Sequence, residues 1–494
     1  MDSEVVFHQM RTVGLASAVP AAYPRQSPFH PEIAYPEFQF SHLSAEPNPA
    51  YAALRDVFRL LKLDSLRYGT KSWNPLRDFV RPGDRVVLKP NWVVDASATG
   101  CPIEVLVTHG SLIRAVLDYV LIGLQGSGSV VLYDTPIMDA NFEEILKQSG
   151  VASVLDFLST AQRVQVTAID GRRRVVVGGT RGETIADQRR FGDPEGYTEF
   201  DLRGRSLHLA LGEDWRRFDV GKGETGTMRM AHNIRCHKYL VSKSVLNADV
   251  IINLPKIKTH IKAGVTGALK NMVGIVGDKS YLPHYRRGGS QRGGDEYEGF
   301  DLFMEIRDRV ADALRPKGKV PWQLGRGGWA VLRRIATLGR ENRGITRYDV
   351  KSGSWPGNDT LWRTILDVNR ILFYGDSCGL LHGEPHRRYV AIADGIVCGQ
   401  GAGPLTPDPV SLGVVLCSAN PAALDATVLK LMGYRRAAVR TVAKAFELVG
   451  DFPLASFDAD LTDVVGEVPS CGRRFKEPPG WEGYLAPREG VTGV

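Results

Sequence analysis

The chain has no closely spaced pair of cysteines. Its six, Cys101, Cys236, Cys378, Cys398, Cys417 and Cys471, are scattered over 494 residues with no C-x-x-C among them. That spacing excludes a zinc ribbon or a ferredoxin-type iron–sulfur cluster and argues against a disulfide framework. Apolar runs are short as well. No window approaches the ~18 apolar residues that cross a bilayer, and the longest helical candidate, LIRAVLDYVLIGL, is interrupted by Arg114 and Asp118. The opening residues, MDSEVVFHQM, carry acid where a secretory signal carries base, and no apolar segment comes after them. The expectation is a cytoplasmic protein. There is no internal repeat, P-loop, nucleophile elbow or H-E-x-x-H motif.

What the chain does have is positive charge in two places. The net charge is +7, yet Lys256 to Arg292 holds eight Lys/Arg against one acid, Asp278, and Arg315 to Arg343 holds eight against Glu341. The remainder is therefore acidic. Charge gathered this way suits a binding site better than a general nucleic-acid surface, and no recognition module accompanies it, so no nucleic-acid partner is expected.

The pattern along the chain predicts an α/β protein: two lobes built from parallel βαβ units, a small antiparallel β insertion and a long basic lid-like excursion. Residues 1–50, rich in Pro and Ala, read as an extended arm. The first lobe, 51–160, offers a helix from Pro49 to Leu63, the strand DRVVLKPN, a helix with Thr108 as its cap, and the strand VVLYD. Residues 161–230 alternate apolar with polar and form the insertion. Residues 231–284 carry the buried strand DVIINLP with a candidate anion-binding loop and helix after it. Residues 285–360 are the basic excursion, 361–450 the second α/β portion and 451–494 a tail. Asn420 is expected to cap the helix NPAALDATVLKLMG.

Parallel sheets bind ligands beyond the carboxyl ends of their strands, where loops and helix N-termini collect. Four predicted strands end on polar residues: Lys89 and Asn91, Asp134, Asn253 with Lys256, and Asp394. After Pro255 the stretch KIKTHIKAGVTGALKNMVG reads as a loop and then a helix, with Thr266 as its cap and Gly264 and Gly267 allowing close approach to a ligand. Amines at Lys256, Lys258, Lys262 and Lys270 repel one another unless they splay into solvent or share an anion; two unit charges ~4 Å apart cost about 4 kcal/mol at an effective dielectric near 20. The candidate anion-binding set is Lys89, Asn91, Lys256, Lys258, Thr266, Gly267, Lys270, Asn271 and Lys279. His260 is the candidate general acid or base, with Asp134 or Asp394 to orient it. His260 and His284 are also candidate ligands for a divalent metal, with the same aspartates as carboxylate partners. GQGAGP, 399–404, is read as a glycine loop.

The segments VVLKPN, VVLYDTPIMDANFEEIL, ADVIINLPKIKTHIKAGVTGALKNMVGIVGDKSYLPHYRRGG, GGDEY, TLWRTILDVNRIL, ADGIVCGQGAGPL and NPAALDATVLKLMG resemble the domain of unknown function 362 family of bacteria and archaea. The likeness spans roughly residues 80–435. Many relatives carry a ferredoxin-like cluster domain; this chain lacks those cysteines and resembles the cluster-free branch, often found beside genes for surface polysaccharide or secondary-metabolite synthesis. A fainter likeness is to the lactate racemase family, a two-lobed α/β plan with Lys and His around a nickel-pincer nucleotide. By position that likeness implies Lys256 or Lys258 and His260 as cofactor-side residues.

The leading expectation is an enzyme acting on a small phosphorylated or carboxylated molecule, with a racemase-like isomerase using a bound metal cofactor as one alternative. The other is a non-catalytic membrane-surface or complex-assembly protein, for which 315–343, basic with Trp322 and Trp329, offers the contact.

Overall fold

Alternation along the apolar strands decides the architecture. The computed structural model describes residues 7–38, 42–161, 163–178, 184–221, 225–302, 304–306, 309, 352–467 and 474–485. Its centre is a ten-stranded sheet. The strands are β1 (Thr12–Ser17), β2 (Arg85–Pro90), β3 (Ser129–Asp134), β4 (Gln165–Asp170), β5 (Val250–Leu254), β6 (Lys256–His260), β7 (Gly264–Thr266), β8 (Arg388–Ala402), β9 (Thr406–Ser418) and β10 (Asp463–Val465). The main path runs β10-β1-β9-β8-β5-β2-β3-β4, with β6 paired to β8 and β7. Strands β4, β3, β2, β5 and β8 are parallel, so their carboxyl ends lie along one edge. The βαβ units are as expected. Strands from both expected lobes join one sheet, in which β5 hydrogen-bonds to β2 on one side and β8 on the other.

Val86, Leu88, Val130, Leu132, Val250 and Ile252 enter one core with helices α1 (Pro49–Leu60), α2 (Gly110–Leu124) and α4 (Val151–Ala161), which comes directly after α3 (Phe142–Gln148). Val87, Tyr133 and Ile251, pointing the other way, meet α5 (Leu361–Tyr374) and α6 (Pro421–Met432). The sheet is thus covered on both faces, which is what lets its parallel strands be apolar throughout. Among the described residues no helix is long and apolar enough to cross a membrane.

Several local expectations change. The Pro-rich arm contains β1, which pairs antiparallel with β9 and parallel with β10. The insertion is antiparallel where 174–178 pairs with 184–189 and where 197–201 pairs with Cys236–Ser242, but Gln165–Asp170 belongs to the main sheet and Leu207–Arg217 is 3-10 helix. Helix α2 is capped by His109, whose ring accepts from Ser111 N. Thr108 instead donates its hydroxyl to Leu254 O at 2.6 Å and accepts from Asn91 N at 2.9 Å, tying two strand ends together. Strand β8 does not stop at Asp394; GQGAGP is mostly its continuation, and the turn begins at Gly403. A side chain on Gly403 would collide with the Thr259 carbonyl, so the close approach there is strand to strand. Cys101, Cys236, Cys378 and Cys417 are free thiols. Cys471 and the basic segment 315–343 lie outside the described residues.

Asn420 caps α6 as expected, accepting from Ala422 N at 2.8 Å and Ala423 N at 2.9 Å, while its amide donates to Phe7 O and Leu454 O. Asn420→Ala removes the cap and strands two buried carbonyls. It should lower unfolding free energy by about 2–3 kcal/mol, read as a reduced urea midpoint at unchanged m. A loss below about 0.5 kcal/mol would contradict this role.

Candidate functional site

The strand ends meet as a hydrogen-bonded floor. Lys89 Nζ lies 2.8 Å from Asp134 Oδ1, both deeply buried. Asp134 also accepts from Trp92 N at 2.6 Å and Thr135 N at 2.7 Å. Asn271 joins the neighbouring ends, donating to Lys89 O at 2.9 Å and Asn253 Oδ1 at 2.8 Å and accepting from Asn91 Nδ2 at 3.0 Å. Farther along the edge, Lys256 and Asp394 form a second buried pair at 3.2 Å. Tyr23, from the Pro-rich arm, donates to Asp394 and accepts from Lys256 Nζ at 2.6 Å. Its ring stacks on His109 at 4.0 Å, and His109 N donates to Asp394 at 2.9 Å.

These contacts correct the roles expected of both aspartates. Asp134 and Asp394 are held by lysines and backbone N–H groups, and neither bonds to His260. Lys89 and Lys256 are correspondingly committed to ion pairs and, at 0% exposure, cannot clasp an added anion. Asn91 and Asn271 belong to the floor.

The segment after Pro255 is a hairpin, β6 against β7, and only then a single helical turn, Ala268–Asn271. Thr266 does not cap it. Gly267 occupies the cap position, and the first N–H groups go to Asp425 on α6: Ala268 N at 2.6 Å and Leu269 N at 3.0 Å. A side chain on Gly267 would collide with that carboxylate. The helix terminus expected to attract a ligand anion is thus satisfied by an internal one. Burial without a neighbouring cation pushes the Asp425 carboxyl up to about 7.

The remaining amines form a layer over the floor. Lys258, at 0% exposure, donates to Leu106 O, and burial next to Lys256 and Lys270 drives its pKa well below the ordinary lysine value. Lys279 donates to Thr135 O at 2.7 Å and contacts Thr135 Oγ1 at 2.8 Å; burial lowers it to about 7, opposed by Asp134 and aided by Lys270 and Lys89. Lys262 sits over the Tyr285 ring, 5.0 Å from its centre, and burial lowers it to about 8. Lys270 has no hydrogen bond or ion pair among the described residues. Burial, then Lys89 and Lys262, lower it to about 8. Lys262, Lys270, Lys279 and His284 all remain partly exposed, so this layer faces outward. Opposite Lys258 across the hairpin, the buried Thr266 hydroxyl has no partner among the described residues, and neither does Asn91 Oδ1. Such orphan atoms each cost about 1–3 kcal/mol unless something outside the chain satisfies them.

Two imidazoles join the layer with opposite tautomers. His260 Nδ1 accepts from Lys262 N at 3.1 Å and Ala263 N at 3.2 Å, so in the neutral ring the proton is on Nε2. His284 Nδ1 lies 2.8 Å from Leu282 O, a carbonyl that only accepts, so Nδ1 carries the proton and Nε2 is the lone pair. Burial holds both rings well below their usual pKa, with Lys270 and Lys262 adding to the effect. The expected role of His260 as base or metal ligand therefore does not fit, because the nitrogen that would act is protonated. Among the described residues no three His, Cys, Asp or Glu side chains stand together as a metal site. Tyr23, Thr135 and Asp425 were not among the expected site residues. Tyr23 and Asp425 reach the edge from distant segments and nothing in the local sequence marks them, whereas Thr135 directly follows the strand-end Asp134.

Fold and site together define an α/β protein with a lysine-rich layer at the carboxyl edge of its sheet. The chain belongs to the family described as a domain of unknown function (DUF362), whose model matches residues 166–430. That span contains Lys256 through His284 but not Lys89 or Asp134. Over 217 residues, 44% of this chain and 47% of the other, the sequence is 25% identical to a thylakoid-associated protein of Synechocystis sp.. A solved structure from Thermotoga maritima is similar with a TM-score of 0.31 and 12% identity, covering 80% of this chain and 59% of that one. The chain thus spans about half the length of the curated relative it matches.

With Lys279 lowered to about 7 and Lys262 and Lys270 to about 8, the folded chain binds fewer protons than the unfolded chain up to the ordinary lysine range. Stability in anion-poor buffer should therefore rise as pH increases from about 7 to about 9. Urea midpoints across that range check it, and Lys270→Met should flatten the slope. A midpoint that falls with pH in the wild type would contradict the burial of these amines.

Proposed function

We propose that the chain is an enzyme that binds a small phosphorylated or carboxylated molecule over this lysine layer and moves a proton on it. The observation that carries the reading is the count of amines against carboxylates. Six lysines, Lys89, Lys256, Lys258, Lys262, Lys270 and Lys279, converge on one sheet edge, and among the described residues only Lys89 and Lys256 have an ion-pair partner there. Burying unneutralised amines beside one another is unfavourable unless a ligand supplies the negative charge. Lys262, Lys270 and Lys279 are the outward-facing ones and would hold it. The orphan Thr266 hydroxyl adds a donor.

The two histidines supply complementary chemistry. His284, neutral with its lone pair on Nε2, suits proton abstraction; its backbone is fixed by Asp219 O and Asn358 Nδ2, each at 2.9 Å. His260 offers an Nε2–H to oxygen where charge develops, and as a neutral donor it stabilises an oxyanion without giving up its proton. Removal of a proton next to a carboxylate or carbonyl, then its return or the loss of a β-group, is the reaction class this pair supports. Isomerisation and elimination both fall within it. No step requires a metal at His260.

Calorimetry with inorganic phosphate and small carboxylates tests the binding half. Lys262→Met and Lys279→Met should each weaken binding about tenfold, equivalent to ~1.4 kcal/mol. Binding should also take up protons, more so as pH rises through about 7 to 8, because the anion favours the charged amines. Proton NMR in D2O tests the chemical half. The wild type should wash deuterium into one member of a panel of hydroxy acids, oxo acids and sugar phosphates. His284→Asn, which can keep the bond to Leu282 O, should slow exchange by about 10²–10⁴-fold with little change in anion affinity. Anion affinity equal in wild type and both lysine variants would end the reading.

A further inference from the structure

Sorting the six lysines by what each amine touches leaves one without a structural task. Lys89 and Lys256 are ion-paired, Lys258 and Lys279 donate to carbonyl oxygens, and Lys262 lies over an aromatic face. Lys270 alone in this set makes no hydrogen bond, ion pair or ring contact among the described residues. It is nonetheless firmly placed. Its one-turn helix is tied by Asp425 at Ala268 N and Leu269 N, and the adjacent Asn271 makes three bonds to two strand ends. A rigid backbone beneath an uncommitted amine, partly exposed and beside other cations, is the environment that makes a lysine nucleophilic.

We propose that Lys270 condenses with the carbonyl group of a small anionic substrate, forming an imine. This rests on the anion-site reading above and names its substrate class: an aldehyde or ketone carrying a carboxylate or phosphate. Lys262 and Lys279 hold the anionic end. The neutral Lys270 nitrogen attacks the carbonyl carbon; the C–N bond forms as the C–O π pair moves to oxygen, which the His260 Nε2–H steadies. His284 Nε2 takes a proton from the now-cationic nitrogen and passes it to the oxyanion, giving a carbinolamine hydroxyl, and then carries the remaining N–H proton to that hydroxyl. The C–O bond breaks, and both amine hydrogens leave with the oxygen as water. No oxidant or reductant is consumed. The imine withdraws electrons from the neighbouring carbon, which is the acidification that a base such as His284 needs to remove a C–H proton near neutral pH. Burial and the adjacent Lys89 and Lys262 favour the neutral amine, consistent with its lowering to about 8.

The test is reductive trapping on the full chain, with pyruvate and dihydroxyacetone phosphate as separate probes and sodium cyanoborohydride as reductant. Intact mass and peptide mapping should find one dominant adduct, on Lys270, with at least one probe. Excess inorganic phosphate should protect it, and Lys270→Arg should abolish it. The wild-type peptide map decides the matter even if the variant folds poorly. Adducts spread over exposed lysines, or unchanged in Lys270→Arg, overturn the proposal. Phosphate binding without any Lys270 adduct overturns the imine and leaves the anion site standing. Neither phosphate binding nor adduct overturns both.

Discussion

The interaction on which this site rests is the pairing of buried lysines with buried aspartates at the carboxyl edge of the sheet. Lys89–Asp134 and Lys256–Asp394 each remove a positive charge from an interior that could not otherwise hold it. Taking either ion out of water costs several kcal/mol, recovered only when geometry and hydrogen bonds are good. Here they are: backbone N–H groups of Trp92, Thr135 and His109 complete the carboxylates, and Tyr23 bridges the second pair. With those pairs neutralised, Lys258, Lys262, Lys270 and Lys279 lie above a floor that has little negative charge left to offer them. Burial is the main cause of their lowered proton affinity, with neighbouring lysines adding to it at Lys258, Lys270 and Lys279.

Floor and working layer are therefore distinct in kind, although the same residue types build both. Apart from Asn91 Oδ1, the polar atoms of the floor bond to one another, and glycines permit the contacts. At Gly274 even a methyl group would press on Lys89 Nζ and Asp134. The working layer is open: among the described residues an amine and a hydroxyl have no partners, and the second nitrogens of two imidazoles are unclaimed by backbone. A site that must accept charge from outside has to leave such groups unsatisfied. The surrounding scaffold has to be rigid enough that they do not collapse onto each other. Asp425, reaching across from α6 to fix the turn that carries Lys270, is one such brace.

Much of this arrangement is legible in the chain alone. The β-branched runs at 85–90, 129–134 and 250–254, each with polar residues after it, give parallel strands whose ends share an edge, and that edge is where Lys89, Asp134, Asn253 and Lys256 are found. The density of lysine between 256 and 279 marks the site itself. Other features are invisible because they depend on contacts across the chain. Tyr23 sits in a Pro-rich stretch with no periodicity and bonds to residues more than 230 positions away. Thr266 has the spacing of a helix cap, yet the hairpin turns it toward Lys258 and Gly267 takes the cap. An acid and glycines read as the end of a strand at Asp394; the strand continues because β6 and β9 offer those glycines a partner on either side.

The sequence by itself determined the parallel α/β sheet, the edge on which chemistry would gather and the sign of the charge there. All three come from local patterns: apolar period, polar strand ends and a run of lysines. Only the tertiary structure decided which lysines are neutralised and which are not, and on which nitrogen each histidine carries its proton. Those properties belong to pairs of groups brought together from segments far apart. The carboxylate that quiets Lys256 and the carbonyl that sets the tautomer of His284 are fixed by packing, and no single stretch of chain contains that information.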